Sequence, residues 1–139
     1  MVFECLDKFI AENQDEILVT GGWTDDKVSE LEEQLGFAFR EEVKAFIKKY
    51  GILMGYGVEI AACGRNGYSR LVKDTLRFRS NGLETKYIVI KGDGELAYCL
   101  DNETGEIVNW GLDNLKVYLV ADNMESFVLE QLEEGKKNW

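Results

Sequence analysis

The sequence predicts an α+β fold, in which helices pack against an antiparallel, possibly mixed, β-sheet of about four to six strands. Three observations lead to this prediction. Apolar residues recur at helical spacing in the N-terminal third, in a middle segment and near the C-terminus. Between them, residues 87–110 form short runs rich in β-branched and aromatic residues. A chain of 139 residues with 45% hydrophobic content is long enough for one sizeable core and too short for two, so we expect a single domain over residues 1–139.

The first predicted helix covers residues 2–13. Its apolar residues recur at spacings of three and four, which places one set on a single face: Val2, Phe3, Leu6, Phe9 and Ile10. The chain then passes through residues 17–19 to Gly21 and Gly22, and Trp23 follows this turn. A Trp just before a helix is more often a core residue than an exposed binding anchor, so we expect Trp23 to be buried.

Two further helices are expected in succession. Apolar residues repeat at the helical period on both sides of Gly36, at Val28, Leu31, Leu35, Val43, Phe46, Ile47 and Tyr50. Gly36 and Gly51 each follow a periodic run, where a helix often ends in a left-handed conformation that Gly adopts without a Cβ penalty. Thr24 can cap the first of these helices, and Asp25 and Asp26 in its first turn complement the helix dipole. A strand is expected to begin after Gly51.

A middle helix is predicted over residues 69–80, capped by Ser69 and ended near Gly82. Its inward side chains are expected to be Leu71, Val72, Leu76 and Phe78. The opposite face carries a basic stripe of Arg70, Lys73 and Arg77. This stripe could contact phosphate or nucleic acid, or it could be a solvated face that balances the acidic remainder of the molecule. Because no aromatic residues are interleaved with it, we favour the solvated face.

An antiparallel meander is predicted from strands at residues 87–90, 95–100 and 106–110, with a further short strand at 117–120. The strand at 95–100 alternates, which predicts one buried face made of Leu96, Tyr98 and Leu100.

The last predicted helix begins at Asp122, with Glu125 as its capping-box partner, and ends at Gly135. Its inner face is expected to consist of Met124, Phe127, Val128 and Leu132. Residues 136–139 are then predicted to form a frayed tail.

Three runs in the middle of this plan share their pattern with a known family: Leu31-Glu32-x-x-Leu35-Gly36, the run from Phe39 to Gly51, and Gly55-x-Gly57-Val58-Glu59-Ile60. The similarity resumes at residues 87–101, 107–110 and 121–127. On these runs the chain resembles the SUKH superfamily, which includes bacterial toxin-immunity proteins and a yeast cell-wall synthesis regulator. The family's Leu-Pro before the second helix is Phe39-Arg40 here, and its Asn-Gly-Gly after that helix is reduced to Tyr50-Gly51. Arg can adopt the φ of a helix start at small cost, so the expected fold stands.

Composition narrows the possible functions. The chain has no His, which excludes Ser-His-Asp and Cys-His catalytic arrangements and removes the commonest metal ligand. Its three cysteines are odd in number and widely spaced, which argues against a disulfide framework or a metal site. The net charge of −10 disfavours nucleic acid as a partner and favours basic proteins. Without a membrane segment, and with Glu4 and Asp7 where a signal peptide would be basic and then apolar, the expected location is the cytoplasm. No cofactor is expected.

Acidic residues crowd two predicted hairpin turns, at Asp93, Glu95, Asp101, Glu103 and Glu106. Paired carboxylates are what glycoside hydrolysis requires, and the segment from Asp101 to Glu106 has a passing likeness to a calcium loop. An EF-hand needs Gly at its sixth position and Glu at its twelfth, whereas Gly105 is fifth and Leu112 is twelfth here. Turn chemistry accounts for these residues better than catalysis or calcium binding.

The resemblance and the charge together predict a non-catalytic immunity protein that binds a basic toxin domain, such as a nuclease. The alternative is a regulatory scaffold like the yeast family member. Acid is concentrated in residues 24–42 and 92–121, and a shared anionic face would steer a basic partner. The predicted binding residues are the helical carboxylates Asp25, Asp26, Glu30 and Glu33, the turn residues Asp93, Asp101 and Glu103, and Tyr56 or Trp110 as an aromatic anchor. These carboxylates could instead serve only solubility and helix capping. We expect a monomer.

Overall fold

A computed structural model describes residues 3–21, 23–60 and 70–139. Helices and strands follow in the order α1 (Glu4–Glu12), β1 (Ile17–Val19), α2 (Asp25–Leu35), α3 (Glu41–Tyr50), β2 (Leu53–Gly55), β3 (Val58–Ile60), α4 (Arg70–Arg79), β4 (Tyr87–Asp93), β5 (Leu96–Asp101), β6 (Ile107–Gly111), β7 (Val117–Ala121) and α5 (Met124–Lys137). The predicted α+β class is confirmed. The predicted cap at Ser69 lies outside the described residues.

The described strands form two antiparallel sheets instead of the single sheet that the sequence predicts. Strands β1, β2 and β3 make one sheet in that order, and β4, β5, β6 and β7 make a second sheet as a meander. The structure describes seven strands, more than the expected four to six. The strands of the smaller sheet were difficult to predict because β1, β2 and β3 have three residues each. A strand of three residues is too short to show a recognisable alternation of apolar and polar residues.

The larger core lies between the helices and one face of each sheet. It contains the predicted apolar faces of α2, α3 and α5, together with Trp23, which is only 7% exposed, as predicted. From the meander, the strands β4, β5 and β6 contribute Ile88, Leu100 and Ile107 to this core. Phe127 of α5 packs against the ring of Tyr98, with the ring centroids 5.3 Å apart. Burial of these side chains is what holds the helices to the sheets.

A second buried cluster covers the opposite face of the meander: Phe78, Leu83, Tyr87, Val89, Ala97, Cys99, Val108 and Trp110. The prediction that β5 buries only one face is therefore wrong, since Ala97 and Cys99 are buried as completely as Leu100. α4 and the chain that follows it supply Phe78 and Leu83 to this face. Leu76 was predicted to point inward, but 44% of it is exposed because the face of α4 that packs carries Leu71, Val72, Thr75 and Phe78.

Two of the predicted helix ends, at Thr24 and Gly36, are confirmed, whereas the predicted start of α5 differs from the structure. The Thr24 hydroxyl accepts a hydrogen bond from the Lys27 amide, and Gly36 is left-handed with φ of 85°. In α5, however, the cap is Asn123, whose Oδ1 accepts from the Ser126 amide. The Glu125 carboxylate instead accepts a hydrogen bond from the Leu6 amide of α1. With Asn123 as the cap, the third residue of the helix is Ser126, so Glu125 does not occupy the capping-box position.

Candidate protein-binding surface

The outer face of α2 carries all four helical carboxylates that the sequence singles out, and all four are exposed. Asp26, Glu30 and Glu33 are spaced by four and three residues, which places them along one stripe of the helix. None of the three forms an ion pair with a side chain that the structure describes. Asp25 differs, because its carboxylate is 2.7 Å from Lys48 Nζ. That hydrogen bond and the Lys48 charge hold the pKa of Asp25 below its usual value.

The turn between β5 and β6 lies against the linker that joins α2 to α3. Asn102 makes this junction: its Nδ2 donates to the Ala38 carbonyl at 2.9 Å, and its Oδ1 accepts from the Arg40 amide at 2.9 Å. Arg40 Nη1 also donates to the Glu103 carbonyl at 2.9 Å. Since the linker follows the C-terminal end of α2, the exposed Glu103 and the last turns of α2 belong to one region. Asp25 lies about 15 Å away at the other end of the helix.

Asp101 was predicted to contact a partner, but it is only 6% exposed. Its Oδ1 accepts a hydrogen bond from the Glu103 amide at 2.9 Å, and its Oδ2 lies 3.4 Å from Lys86 Nζ. The carboxylate therefore organises the turn from within, as Asp residues in turns commonly do. It is not available to a protein partner in this conformation.

Asp93 does not join the other predicted turn residues. It closes β4 at the hairpin to β5, whereas Glu103 lies in the next turn of the meander. Consecutive turns of an antiparallel meander lie at opposite ends of its strands, and the six residues of β5 span about 17 Å. The side chain of Asp93 is outside the described part of the structure. The single anionic face predicted from both turns is thus divided between two ends of the sheet.

Trp110 was one of the two predicted aromatic anchors, and the structure buries it to 3% exposure. Its ring meets Phe78 of α4 edge to face, with centroids 5.9 Å apart and planes at 87°. Trp110 is a core residue because α4 covers this face of the meander, which sequence alternation alone does not reveal. The prediction that it anchors a partner is not supported by this burial.

Tyr56 lies at the two-residue turn between β2 and β3, in an unusual backbone conformation. Its φ is +51° and that of Gly57 is +79°, a pair of left-handed residues that suits a tight hairpin but is normally occupied by Asn or Asp before Gly. The Tyr56 side chain is 9% exposed, and its hydroxyl donates to Asn13 Oδ1. Bulky residues in this region of backbone conformation carry strain, and such strain concentrates at functional sites.

An open groove of about 440 Å³ surrounds this turn. Trp139 forms one wall, with its ring edge to face against Tyr56 at 5.8 Å, and Leu18 and Met54 add apolar surface. Leu18 and Trp139 are 54% and 71% exposed. The groove also contains three carboxylates, from Asp15, Glu16 and Glu59. Apolar surface bordered by carboxylates suits a Lys or Arg side chain, whose alkyl stem packs while its charge stays at the rim.

Sequence reasoning identified Tyr56 but missed the rest of the groove. Trp139 was assigned to a frayed tail, yet α5 continues to Lys137 and brings Trp139 back onto the β2–β3 turn. Leu18 was not recognised because β1 has only three residues. A helix can continue through Gly135, and a Trp follows it at position 139. That Trp is the one sequence signal that could have indicated a structured C-terminus.

Two of the three residues of the basic stripe on α4, Arg70 and Arg77, contact the protein itself. Arg70 Nη1 lies 3.0 Å from Glu59 Oε2, and its Nε lies 3.3 Å from Asp74 Oδ2. Arg77 donates to the Gly94 carbonyl at 3.3 Å. These contacts agree with a face that balances neighbouring acid, which was the preferred interpretation of the sequence.

Within residues 3–21, 23–60 and 70–139, Cys, Asp and Glu side chains do not gather in groups of three that could hold a metal ion. Among the helices that the structure describes, none combines the length and apolar character needed to cross a bilayer.

Two comparisons with known proteins concern the family and the fold of this chain. A family model described as SMI1-KNR4 cell-wall, one of the SUKH set, matches residues 4–133. The structure is also similar to a crystal structure of a protein from Pseudomonas syringae pv. tomato, with a TM-score of 0.67. The two chains are 18% identical, and the match covers 84% of this chain and 87% of the other. At that identity the structural match concerns the fold alone.

Proposed function

The chain belongs to the SMI1-KNR4 cell-wall family of the SUKH superfamily, and from this membership we propose that it is a non-catalytic immunity protein. In this proposal it binds a cognate bacterial toxin in the cytoplasm and blocks it by occupying its surface. The observation that carries the proposal is the α2 stripe of Asp26, Glu30 and Glu33, three exposed carboxylates without an ion-pair partner among the described residues. Carboxylates left unpaired in this way are free to meet the cations of another protein.

The toxin that best fits this surface is a nuclease domain. Nucleases hold the phosphates of their substrate with Lys and Arg, so their active surfaces are cationic. An acidic protein with a net charge of −10 is attracted to such a surface, and its carboxylates replace the substrate phosphates there. Inhibition of this kind requires no catalytic group.

The groove beside Tyr56 supplies the short-range part of the interaction. A Lys or Arg of the toxin would enter between Trp139 and Leu18, with its charge close to Asp15 and Glu16. Exposed Trp residues are frequent binding hot spots because they bury a large area on association, whereas rim carboxylates mainly accelerate the encounter. We therefore assign most of the binding energy to Trp139 and most of the steering to α2.

Co-expression with the toxin domain encoded in the neighbouring gene tests the proposal. We expect the chain to protect cells from that toxin and to co-purify with it. Trp139→Ala should weaken the complex by about ten-fold or more. Leu76→Ala is the matched control, since it also removes an exposed apolar side chain but lies on α4, away from the groove. Failure to protect against any adjacent toxin would contradict the immunity role.

The description of the family model favours a second candidate, a regulatory scaffold related to the yeast cell-wall regulator. A scaffold would hold several endogenous proteins and would have no toxin among its partners. Affinity purification from the native cell distinguishes the two roles: several stable partners without a toxin would replace immunity by scaffolding.

A further inference from the structure

The floor of the groove beside Tyr56 is the outward face of the three-stranded sheet. Leu18 pairs with Met54 and Met54 pairs with Glu59, so the three side chains form one row across β1, β2 and β3. Their apolar neighbours along the strands pack against the larger core, because successive side chains of a strand alternate between its two faces. The row is apolar on β1 and β2 and ends in a carboxylate on β3. A ligand in the groove therefore lies on apolar surface with negative charge beside it.

The carboxylates of the groove differ in whether they are already paired. Glu59 Oε2 lies 3.0 Å from Arg70 Nη1, so its charge is compensated within the chain. Asp15 and Glu16 are exposed, and neither forms an ion pair with a side chain that the structure describes. Gly55 lets the start of β1 come close, since a Cβ there would lie 3.2 Å from the Glu16 carbonyl oxygen. Two uncompensated negative charges thus border the groove and favour a cationic ligand.

Trp139 supplies an aromatic ring whose surface lies mostly in solvent. Of the three tryptophans, Trp23 and Trp110 are only 7% and 3% exposed, whereas Trp139 is 71% exposed. It meets Tyr56 edge to face, with the ring centroids 5.8 Å apart and the planes at 81°. Most of the indole surface remains accessible at the wall of the groove. An accessible ring beside carboxylates allows one cation to meet a π-face and an anion together.

We propose that the groove binds an arginine side chain of the partner protein and selects it over lysine. The inference rests on the proposed function, in which a basic residue of the toxin enters this groove, and it identifies that residue. The arginine stem lies on Leu18 and Met54, and its guanidinium lies between Trp139 and the carboxylates of Asp15 and Glu16. Arg70 already compensates the third carboxylate, so the partner's charge is placed at the opposite side of the row.

The selectivity follows from the chemistry of the two cations. A guanidinium is planar, so it can stack on the indole of Trp139 while its N–H groups donate to a carboxylate in the same plane. It is also more weakly hydrated than an ammonium, so contact with the apolar row costs it less hydration. The lysine ammonium is a compact, strongly hydrated charge and cannot form the stacked, forked arrangement.

Three capped tripeptides that differ only in their central residue test the selectivity on the isolated chain. N-acetyl-Gly-Arg-Gly-amide and its lysine and citrulline counterparts are each titrated against isotope-labelled protein by NMR. The indole N–H resonance of Trp139, assigned by its loss in Trp139→Phe, reports occupancy of the groove. We expect the arginine peptide to bind about five-fold or more tightly than the lysine peptide. Citrulline has the shape of arginine without its charge, and its peptide should bind about ten-fold more weakly than the arginine peptide.

A paired substitution tests the carboxylates. Asp15→Asn combined with Glu16→Gln removes the two uncompensated charges and should weaken binding of the arginine peptide by about ten-fold. Glu130→Gln combined with Glu133→Gln is the matched control, because it removes the same charge from exposed positions of α5 outside the groove. The control should bind like the parent. Amide spectra that match the parent away from the substituted positions establish that each variant is folded.

Equal affinity for the arginine and lysine peptides would overturn the proposal, as would a citrulline peptide that binds as tightly as arginine. It would also be overturned by a Trp139 resonance that does not respond to the arginine peptide, or by an Asp15→Asn, Glu16→Gln variant that binds like the parent. These outcomes are separate from the immunity role, because no toxin is present. A chain that protects cells without discriminating the peptides keeps that role and loses the arginine site. A chain that discriminates the peptides but protects against no toxin keeps the arginine site and loses the immunity role.

Discussion

At the scale of single residues, Asp7 joins α1 to α3. Its carboxylate accepts hydrogen bonds from Lys49 Nζ and from the Tyr50 hydroxyl. Burial alone would raise the pKa of Asp7, but these two hydrogen bonds and the Lys49 charge outweigh it and hold the pKa below its usual value of 3.8. Burial raises the pKa of Tyr50, and the hydrogen bond to Asp7 adds to this effect. Tyr50 therefore stays a hydrogen-bond donor throughout the physiological range.

A stability difference that depends on pH follows from the low pKa of Asp7. A carboxyl group whose pKa is lower in the folded state stabilises the fold above its unfolded pKa and loses that contribution as pH falls through the folded value. Asp7→Asn should lower the free energy of unfolding at neutral pH by less than about 1 kcal/mol, because the ion pair is partly exposed. The difference from the parent should close as the pH falls below about 4. Urea unfolding across this pH range measures it.

Asp15→Asn is the control for this experiment, since it removes an equal charge from an exposed turn. A deficit of Asp7→Asn that persists unchanged in acid would mean that the carboxylate charge is not what stabilises the contact.

Cys99 lies on the second buried face of β5, and its chemistry follows from that position. Burial raises the pKa of its thiol to about 12. Because the thiolate is the reactive form, native Cys99 should resist iodoacetamide at neutral pH, whereas Cys5 is exposed and should react. Peptide mapping by mass spectrometry distinguishes the sites, and labelling in urea shows that Cys99 reacts once the chain unfolds. Rapid labelling of native Cys99 would contradict the burial of this face.

At the scale of helices and strands, the sequence predicts best what is encoded locally. The apolar stripes of α2, α3 and α5 and the cap at Thr24 depend on residues within a few positions of one another, and the structure agrees with each. The errors occur where distant contacts decide. Glu125 accepts a hydrogen bond from the Leu6 amide of α1 instead of capping α5. Ala97 is buried because α4 covers its face of the meander. Neither partner can be identified from spacing along the chain.

Gly135 shows how a distant contact fixes the end of α5. The helix passes through it, so Ala in its place would by itself favour the helix by about 1 kcal/mol. A Cβ at this position, however, would lie 2.7 Å from the Tyr56 carbonyl oxygen and 3.2 Å from a methyl group of Val58. The backbone of α5 thus lies directly on the β2–β3 turn, which seats Trp139 over Tyr56.

Gly135→Ala should therefore lower the free energy of unfolding by about 1–3 kcal/mol, as overpacking does in a close contact. Hydrogen exchange should report faster opening of residues 53–60 in this variant. Ser126→Ala, at an exposed position of the same helix, is the control and should be neutral or slightly stabilising. A stabilised Gly135→Ala would show that the contact with Tyr56 can relax without cost.

At the scale of the whole molecule, surfaces are the part that the sequence predicts least. The four carboxylates predicted on α2 were found because charge at helical spacing is visible in the sequence, and all four are exposed. Trp110 and Tyr56 were the two predicted aromatic anchors, but Trp110 is buried by α4 and Tyr56 is the floor of a groove completed by Trp139. Whether a side chain is an anchor or a core residue depends on the elements that cover it. That information is absent from local patterns.

Charge reversal on α2 tests whether its carboxylates steer the toxin, and the structure shows which of these carboxylates are paired and which are not. Asp25 is bound to Lys48, so reversing its charge would disturb α3 as well. Reversal of Asp26, Glu30 and Glu33 to Lys leaves the Asp25–Lys48 pair in place. The association rate with the co-expressed toxin should fall by roughly ten-fold or more at low ionic strength. The effect should be much smaller in about 1 M salt, where the Debye length is about 3 Å.

A matched triple variant separates local steering from net charge. Glu130, Glu133 and Glu134 are exposed on α5, and their reversal to Lys changes the net charge of the chain by the same amount as reversal of the α2 stripe. If steering comes from α2, the α5 triple should slow association less than the α2 triple, because the α5 carboxylates are not part of the α2 stripe. Stopped-flow measurements at several salt concentrations give both rates. Equal slowing by the two variants would assign the effect to net charge, and no slowing by either would make the α2 stripe a solubility feature.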